Sequence, residues 1–172
     1  YVWSVSDPNT PPFYRFTALW GSQKGSLLFW CFLMSTFAAG ALVINWRSHR
    51  RLMPYVIAYS MATLAFFVGL VLFYETPVER WWLVGSEAVR TVLIPAGAVA
   101  PSAARLAETA NGLNPLLRHF GMIIHPPMLY LGFVGFVIPF AFAMAALASG
   151  DLSTNWLKAT RRWTLVAWLF LS

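Results

Sequence analysis

The chain has 172 residues, of which 59% are hydrophobic and 10% charged, and its formal net charge is +6. Soluble domains carry about 25% charged residues, so this composition predicts an integral membrane protein and excludes an ordinary soluble enzyme. The basic residues lie in short segments between apolar runs, which is typical of membrane orientation signals and argues against nucleic-acid binding. The one cysteine, Cys31, allows no internal disulfide and no four-ligand zinc site.

The first predicted elements are a short helix and a membrane span. Residues 11–20 begin with two prolines and are rich in aromatic residues, so we expect a short helix at the level of the lipid headgroups. Residues 21–25 are predicted to form a turn. Residues 26–45 carry no charge and are long enough to cross a hydrocarbon layer of ~30 Å. The small residues at 38–41 would let another helix approach closely.

A basic segment, a second span and a long polar connection follow. Residues 46–53 contain three arginines and no acid, and the second span is predicted at residues 54–74. Residues 75–124 contain as many acids as bases and form a neutral connection. We reject a further span at residues 82–100, because an acid, an arginine and a proline lie within it. Residues 81–110 are expected to be partly helical and interfacial.

The last predicted elements are a third span and the beginning of a fourth. The third span covers residues 127–148, and Pro139 is expected to kink it. Residues 151–162 form a short basic loop, and residues 163–172 begin a truncated fourth span. We therefore predict an all-α fold, a polytopic transmembrane helical bundle with three full spans and a truncated fourth. Residues 1–172 are expected to be a single fragment of a larger polytopic domain.

The loop charges predict the orientation of the spans. Loops 46–53 and 151–162 together contain six Lys and Arg residues, and two spans separate them, so they should lie on one side. The positive-inside rule assigns that side to the cytoplasm. Residues 1–25 and 75–124 then lie outside, which is the periplasm if the protein is in a bacterial inner membrane.

The three complete predicted spans contain no Asp, Glu, Lys, Arg or His. Ion pumps, proton-coupled transporters and voltage sensors place such groups inside the membrane, so this absence argues against those functions for these residues. Of the three histidines, His49 lies among arginines and is interpreted as a solvated surface residue. His119 is interpreted as an exposed loop residue, although its imidazole offers an alternative ligand.

His125 is the best candidate for a functional residue. It is placed outside by the charge argument, and Pro126 and Pro127 directly behind it predict the start of a helix. The positive end of a helix dipole would favour a neutral imidazole there, which is the form that binds a metal or a haem iron. A capping histidine at the membrane interface is an equally good interpretation of the residues alone.

Aromatic residues crowd the same outer surface. They form either an interfacial belt, which is the favoured interpretation, or an apolar shelf for a flat ligand such as a porphyrin. Three arginines, Arg15, Arg80 and Arg118, are candidates to pair with propionates. The aromatic residues are Trp3, Phe13, Tyr14, Trp20, Tyr74, Trp81, Trp82, Phe120 and Tyr130.

Four segments resemble the CcmF family, the membrane haem lyases of the system I pathway of cytochrome c maturation. They are GLNPLLRHFGMIIHPPMLYLGFVGF, the following AFAMAALASG, the earlier FTALWGSQKGSLLFW and the final RRWTLVAWLFLS. The haem lyase subunit dedicated to cytochrome c nitrite reductase is a close relative, and the CcsA-type proteins are more distant. The HPPMLYLGFVGF run is long and specific, and the segments cover most of residues 13–45 and 112–172.

The resemblance implies a function and a set of partners. Family members take haem from the chaperone CcmE, work with the thiol-handling proteins CcmH and CcmI, and attach haem b to the CxxCH cysteines of an apocytochrome c. His125 matches the first of two external histidines that ligate the haem iron. The second histidine, the Trp-rich WWD region and the ligands of a separate structural haem b would follow Ser172. The fragment alone is expected to be inactive, and no catalytic residue is assigned.

The chain also departs from the family pattern, and a second function remains open. Gln23 and Lys24 stand where the family often has a His-Glu pair, and His119 and Phe120 replace a frequent Asp-Pro. The outer loop at residues 81–111 looks longer than usual. The alternative function is a non-enzymatic membrane anchor or quinone-pocket subunit of a respiratory complex, in which His125 only caps a helix.

Overall fold

The computed structural model describes residues 5–6, 9–102, 112, 114–151 and 153–172. The chain forms two compact units. The first comprises Tyr1–Leu28 and Val71–Ile123, and the second comprises Phe29–Leu70 and Ile124–Ser172. The prediction that the chain is a single fragment of a larger membrane domain stays a prediction.

Three apolar helical segments are long enough to cross a membrane. They are α2 (Gln23–Asn45), α3 (Met53–Phe73) and the segment Phe120–Ser149, which contains α4 (Phe120–Gly135) and α5 (Val137–Ser149). Their apolar composition and length confirm the predicted helical membrane fold with three full spans. In a membrane the backbone polar groups need hydrogen-bond partners within the protein, and the regular helices α2 and α3 supply most of them internally.

The third span begins earlier than predicted. It starts at Phe120 rather than near residue 127, so Pro126 and Pro127 lie inside α4 and not at its start. A segment of 30 residues measures about 45 Å, which exceeds a hydrocarbon layer of ~30 Å. The segment is therefore longer than a perpendicular crossing of the hydrocarbon requires.

The third helical segment is interrupted at one residue shortly before Pro139, and the predicted kink itself stays a prediction. Phe136 separates α4 from α5, and its backbone N–H contacts the carbonyls of Gly132 and Phe133, both at 3.3 Å. Proline has no N–H to donate to the carbonyl four residues earlier, and its ring crowds that carbonyl. The regular hydrogen-bond ladder is therefore interrupted at the turn that precedes Pro139.

The predicted basic loop at 151–162 is wrong for most of its length. The last helix, α6, spans Asn155–Leu171, so Lys158, Arg161 and Arg162 lie in its first turns. Lys and Arg are good helix formers, so a run of basic residues is compatible with a helix. Their charge opposes only burial in hydrocarbon and not helical structure outside it. Gly150, with φ +68°, ends α5 with the Asp151 N–H bonded to the Ala146 carbonyl at 2.9 Å.

The predicted helical structure in residues 81–110 is also wrong where the structure describes it. Strand β1 (Arg80–Val84) pairs antiparallel with β2 (Glu87–Thr91), and Leu83 forms a bridge with Val99. Two tryptophans and several valines favour strands, and Gly85 adopts the positive φ of +63° that a two-residue turn requires. Residues 103–111 lie outside the described part of the chain.

The first unit also contains a short helix, α1 (Pro12–Thr17). Pro12 occupies its first turn, where the missing N–H costs nothing, and the Thr17 hydroxyl donates to the Tyr14 carbonyl at 2.9 Å. The short helix expected at residues 11–20 is therefore present. Its aromatic residues Phe13 and Phe16 are exposed, with 58% and 64% of their surface accessible.

The core of the second unit packs around Phe142, which is fully buried. Ala38 and Ala41 of α2 belong to this core together with Met53 and Val56 of α3. The small-residue patch at 38–41 therefore does allow close packing, as its sequence predicts. The buried hydroxyl of Ser60 is bonded within its own helix, since it donates to the Val56 carbonyl at 2.7 Å.

Candidate functional site

His125 lies in the second turn of α4 with its side chain exposed. The prediction that it stands at the helix N-terminus is wrong, and so is the dipole argument for a neutral imidazole, because that effect is confined to the first turn. Within the second unit, His125 shares its helix face with Met128, which is 38% exposed. The imidazole is thus accessible from one side of an otherwise apolar helix.

The two prolines behind His125 affect the backbone in front of it. Proline lacks an N–H, so the carbonyls of Met122 and Ile123 have no helical donor four residues ahead. Such carbonyls are tolerated where water reaches them and are costly in hydrocarbon. This local chemistry supports a position for His125 at the water-facing end of the span, in agreement with the length of the segment.

His119 has a structural role that its sequence context does not reveal. Its carbonyl accepts hydrogen bonds from the N–H groups of Met122 and Ile123, at 2.9 and 3.2 Å, and its Nδ1 accepts one from the Gly121 N–H at 3.2 Å. These are the bonds of a residue that caps a helix N-terminus. An imidazole that accepts at Nδ1 carries its proton on Nε2 when neutral. His119 is exposed, as predicted, and caps α4.

His49 is not the solvated surface residue that its arginine neighbours predict. It is half-buried, its ring meets Phe142 edge-to-face at 6.2 Å, and its Nδ1 is buried without a hydrogen-bond partner. The backbone of His49 also accepts bonds from Leu52 and Met53 at the start of α3. The sequence misses this position because the burial arises from contact with a distant helix.

The predicted aromatic surface divides between two environments. Tyr130, in the second unit, packs against Phe29 and Trp30 with ring centroids 6.0 and 5.6 Å apart, so it belongs to a packed helix interface. In the first unit, Phe120 is exposed and Trp81 lies under the Arg90 guanidinium at 5.8 Å. Trp3 lies outside the described residues. The porphyrin shelf stays a prediction.

The first unit contains an ion-pair network that the sequence does not predict. Glu79 accepts a hydrogen bond from the Lys24 ammonium at 2.7 Å and forms an ion pair with Arg90, whose Nε lies 3.0 Å away. The hydrogen bond from Lys24 and the charges of both cations lower the pKa of Glu79. Lys24 thus has a partner at the position where the family pattern differs. Arg15, Arg80 and Arg118, the candidates to pair with propionates, are exposed residues of this unit.

The described residues contain no group of three or more His, Cys, Asp or Glu side chains able to hold a metal ion. A haem iron needs fewer protein ligands, since the porphyrin supplies the equatorial ligands and the protein supplies only axial ones. One accessible imidazole on a helix suits one axial position. His125 fits that chemistry, and the second axial ligand would come from elsewhere.

Comparisons with known proteins agree with one another. A family model described as cytochrome C assembly protein matches residues 20–172. The chain is 36% identical over 172 residues to the cytochrome c-type biogenesis protein CcmF of Escherichia coli K12, covering 100% of this chain and 23% of that protein. It is 34% identical to the Pseudomonas aeruginosa CcmF, covering 99% and 23% respectively.

A relative of a second type gives the same result. The cytochrome c-type biogenesis protein NrfE of Haemophilus influenzae is 32% identical over 172 residues, covering 100% of this chain and 24% of that protein. The chain therefore spans about a quarter of the length of the curated relatives it matches. No solved structure matches it.

Proposed function

The chain belongs to the cytochrome c assembly protein family, and from that premise we propose that it forms part of a haem lyase in which His125 supplies one axial ligand to haem. The observation that carries the proposal is the accessible imidazole of His125 in the second turn of a membrane helix. The family match over residues 20–172 supports the haem as its ligand.

The proposed site faces the outside of a bacterial inner membrane. Six Lys and Arg residues lie in residues 46–53 and 151–162, at the opposite ends of the spans from His125. The positive-inside rule assigns those basic ends to the cytoplasm. The His125 end, together with residues 1–25 and 75–124, is then periplasmic, where apocytochrome c is found once it has been exported.

The proposed reaction joins haem b, as a substrate, to the two thiols of a CxxCH motif. Each sulfur forms a bond to one carbon of a vinyl group, the C=C double bond becomes single, and the thiol proton passes to the neighbouring carbon. The contribution of His125 is to hold the iron and thereby fix the porphyrin. Fixing both reactants can supply about 7–11 kcal/mol of the barrier without a catalytic acid or base.

The remaining parts of the proposed system lie beyond the described chain. The second external histidine, the Trp-rich segment and a separate structural haem b would belong to the rest of the protein. The proposed partners are the haem chaperone CcmE, the apocytochrome c and the thiol-handling proteins CcmH and CcmI. Membership in an assembly family argues against the alternative of a respiratory anchor or quinone-pocket subunit.

The proposal is tested by His125→Ala in the full-length protein, expressed in a strain that lacks its own haem lyase. We expect the yield of holocytochrome c to fall by at least tenfold, and we expect added imidazole to restore part of it in a His125→Gly variant. His119→Ala is the matched control and should retain the yield. A yield unchanged in His125→Ala would show that the imidazole is not a ligand.

A further inference from the structure

A cavity of about 500 Å³ lies in the second unit, where α2 and α3 are joined and where α6 begins. Helix α2 ends and helices α3 and α6 begin beside this cavity. The cavity therefore opens at the ends of these helices, at one surface of the membrane. Its lining contains four permanent cations and one carboxylate. The charged groups are Arg47, Arg50, Arg51, Lys158 and Asp151, with the ring of His49 beside them.

The cations of this cavity outnumber the carboxylate beside them. Among the described residues, no salt bridge involves Arg47, Arg50, Arg51 or Lys158. The Asp151 carboxylate accepts the Ser153 N–H at 2.9 Å. Bonds from Ser153 lower the pKa of Asp151, and the charge of Arg51 helps to lower it, so this carboxylate is charged at neutral pH and still leaves the cations in excess. The cavity is therefore suited to an anion.

A second cavity of about 400 Å³ continues from the first along α2 and α6. The two cavities share His49 and Lys158. The lining of the second cavity is half apolar and half polar or basic, with Arg162 among the basic residues, and the apolar Ile44 and Val166 are exposed by 66% and 43%. Ile44 lies in the last turn of α2 and Val166 lies in α6, so both helices contribute exposed apolar surface to this cavity. The charged cavity thus leads into a groove whose exposed part at Ile44 and Val166 is apolar.

We infer that the two cavities together bind one anionic phospholipid, with its phosphate among Arg50, Arg51 and Lys158 and an acyl chain along Ile44 and Val166. Arginine pairs with phosphate oxygens through two parallel hydrogen bonds, and lysine adds a point charge. Basic pockets between helices on the cytoplasmic side are a recurring site for such headgroups. A free phosphate has the same headgroup chemistry but would leave the apolar groove unused. This inference does not depend on haem binding.

The test measures lipid retention by native mass spectrometry on the delipidated full-length protein. Phosphatidylglycerol is titrated against phosphatidylcholine with the same acyl chains. We expect the double variant Arg50→Gln, Lys158→Gln to bind phosphatidylglycerol about 25-fold more weakly, since each basic group near a membrane surface contributes about fivefold. The control is Arg161→Gln, which removes one positive charge, as the single variant Arg50→Gln does, and which lies on the exposed surface of α6 and lines neither cavity. It should change binding by less than about twofold.

Further variants separate the lipid from its alternatives. Exchanging the cations as Arg50→Lys, Lys158→Arg should restore most of the binding, which distinguishes lost charge from lost folding. Val166→Ser should weaken phosphatidylglycerol binding and leave inorganic phosphate binding unchanged. Equal losses in the double variant and in Arg161→Gln would overturn the site. Full displacement of the lipid by inorganic phosphate, with no effect of Val166→Ser, would overturn the lipid as its ligand.

Discussion

His119 and His125 are six positions apart in sequence and differ in what their imidazoles do. The Nδ1 of His119 is engaged with the Gly121 N–H, whereas His125 is exposed in the next turn of the same helix. A cap is fixed by local backbone geometry, and a ligand must remain free to bind. The structure therefore distinguishes the two imidazoles, one as a hydrogen-bond acceptor and the other as an exposed side chain. Their similar positions in the sequence do not make this distinction.

The cap predicts a local effect for His119. His119→Ala should destabilise the first turn of α4 by roughly 1 kcal/mol, because the Gly121 N–H loses its acceptor. Amide hydrogen exchange of residues 120–123 in the full-length protein measures this. His119→Asn should restore protection, since asparagine is a strong N-cap residue. Equal exchange in the wild type and in His119→Ala would contradict the cap.

The Glu79 network predicts a dependence on pH. Folding lowers the pKa of Glu79, chiefly through the Lys24 hydrogen bond, so the contribution is present at neutral pH and is lost as the pH falls through the folded pKa. For partly exposed groups it amounts to roughly 0.5–1 kcal/mol. We expect the protection factors of the amides in residues 80–91, which correct for the intrinsic exchange rate at each pH, to fall as the pH drops through the folded pKa of Glu79. Glu79→Gln should exchange faster at neutral pH and lose this acid-dependent change.

At the scale of helices, α4 and α6 approach closely through small residues. A Cβ on Gly135 would lie 2.9 Å from the Ala167 Cβ, and one on Gly132 would meet the Leu171 side chain and, at 3.2 Å, the Ala167 carbonyl oxygen. In a membrane, close approach of backbones replaces the hydrophobic driving force as the source of helix association. The glycines are therefore part of the packing of the third span against α6.

The matched pair Gly135→Ala and Gly69→Ala tests this packing. Gly135→Ala should lower the stability of the purified protein by about 1–3 kcal/mol, because the added methyl must displace Ala167. A Cβ on Gly69 meets nothing within 4 Å, so Gly69→Ala should be neutral or slightly stabilising. Thermal unfolding in detergent compares the two variants, and equal melting temperatures would refute the close contact.

The elements also show how far the sequence alone can be taken. Uncharged apolar runs predict the three spans, since length and composition decide whether a helix can cross a membrane. The helix starts at Phe120 and Asn155 are missed, because Pro126 and the basic residues of α6 look like boundaries although a helix can contain both. The hairpin at residues 80–91 depends on the turn at Gly85, which a charge-based interpretation overlooks.

The candidate site, too, is predictable from the sequence only in part. His125 is selected from the sequence by its neighbours and by the family resemblance, and its exposure agrees with a binding role. The burial of His49 against Phe142 is not predictable, because it requires knowing which helices pack together. The same holds for the basic cavity, whose cations come from segments more than a hundred residues apart in sequence.

At the scale of the whole molecule, the account requires a defined orientation in the membrane. Ser48 lies in the basic turn and Ser86 in the hairpin turn, and both are exposed. In a Cys31→Ala background, we expect Ser86→Cys to react with a membrane-impermeant maleimide in intact cells stripped of their outer membrane. Ser48→Cys should react only after permeabilisation. Labelling of both cysteines from the outside would refute the orientation.

The central claim is that the His125 imidazole binds haem iron at the outer surface. The most direct measurement is the haem content and low-spin absorption spectrum of the full-length protein after incubation with haem-loaded CcmE. We expect wild type and His119→Ala to gain the same external haem, and His125→Ala to gain none beyond the separate haem b that we propose for the rest of the protein. An equal gain of low-spin haem in His125→Ala would contradict the account.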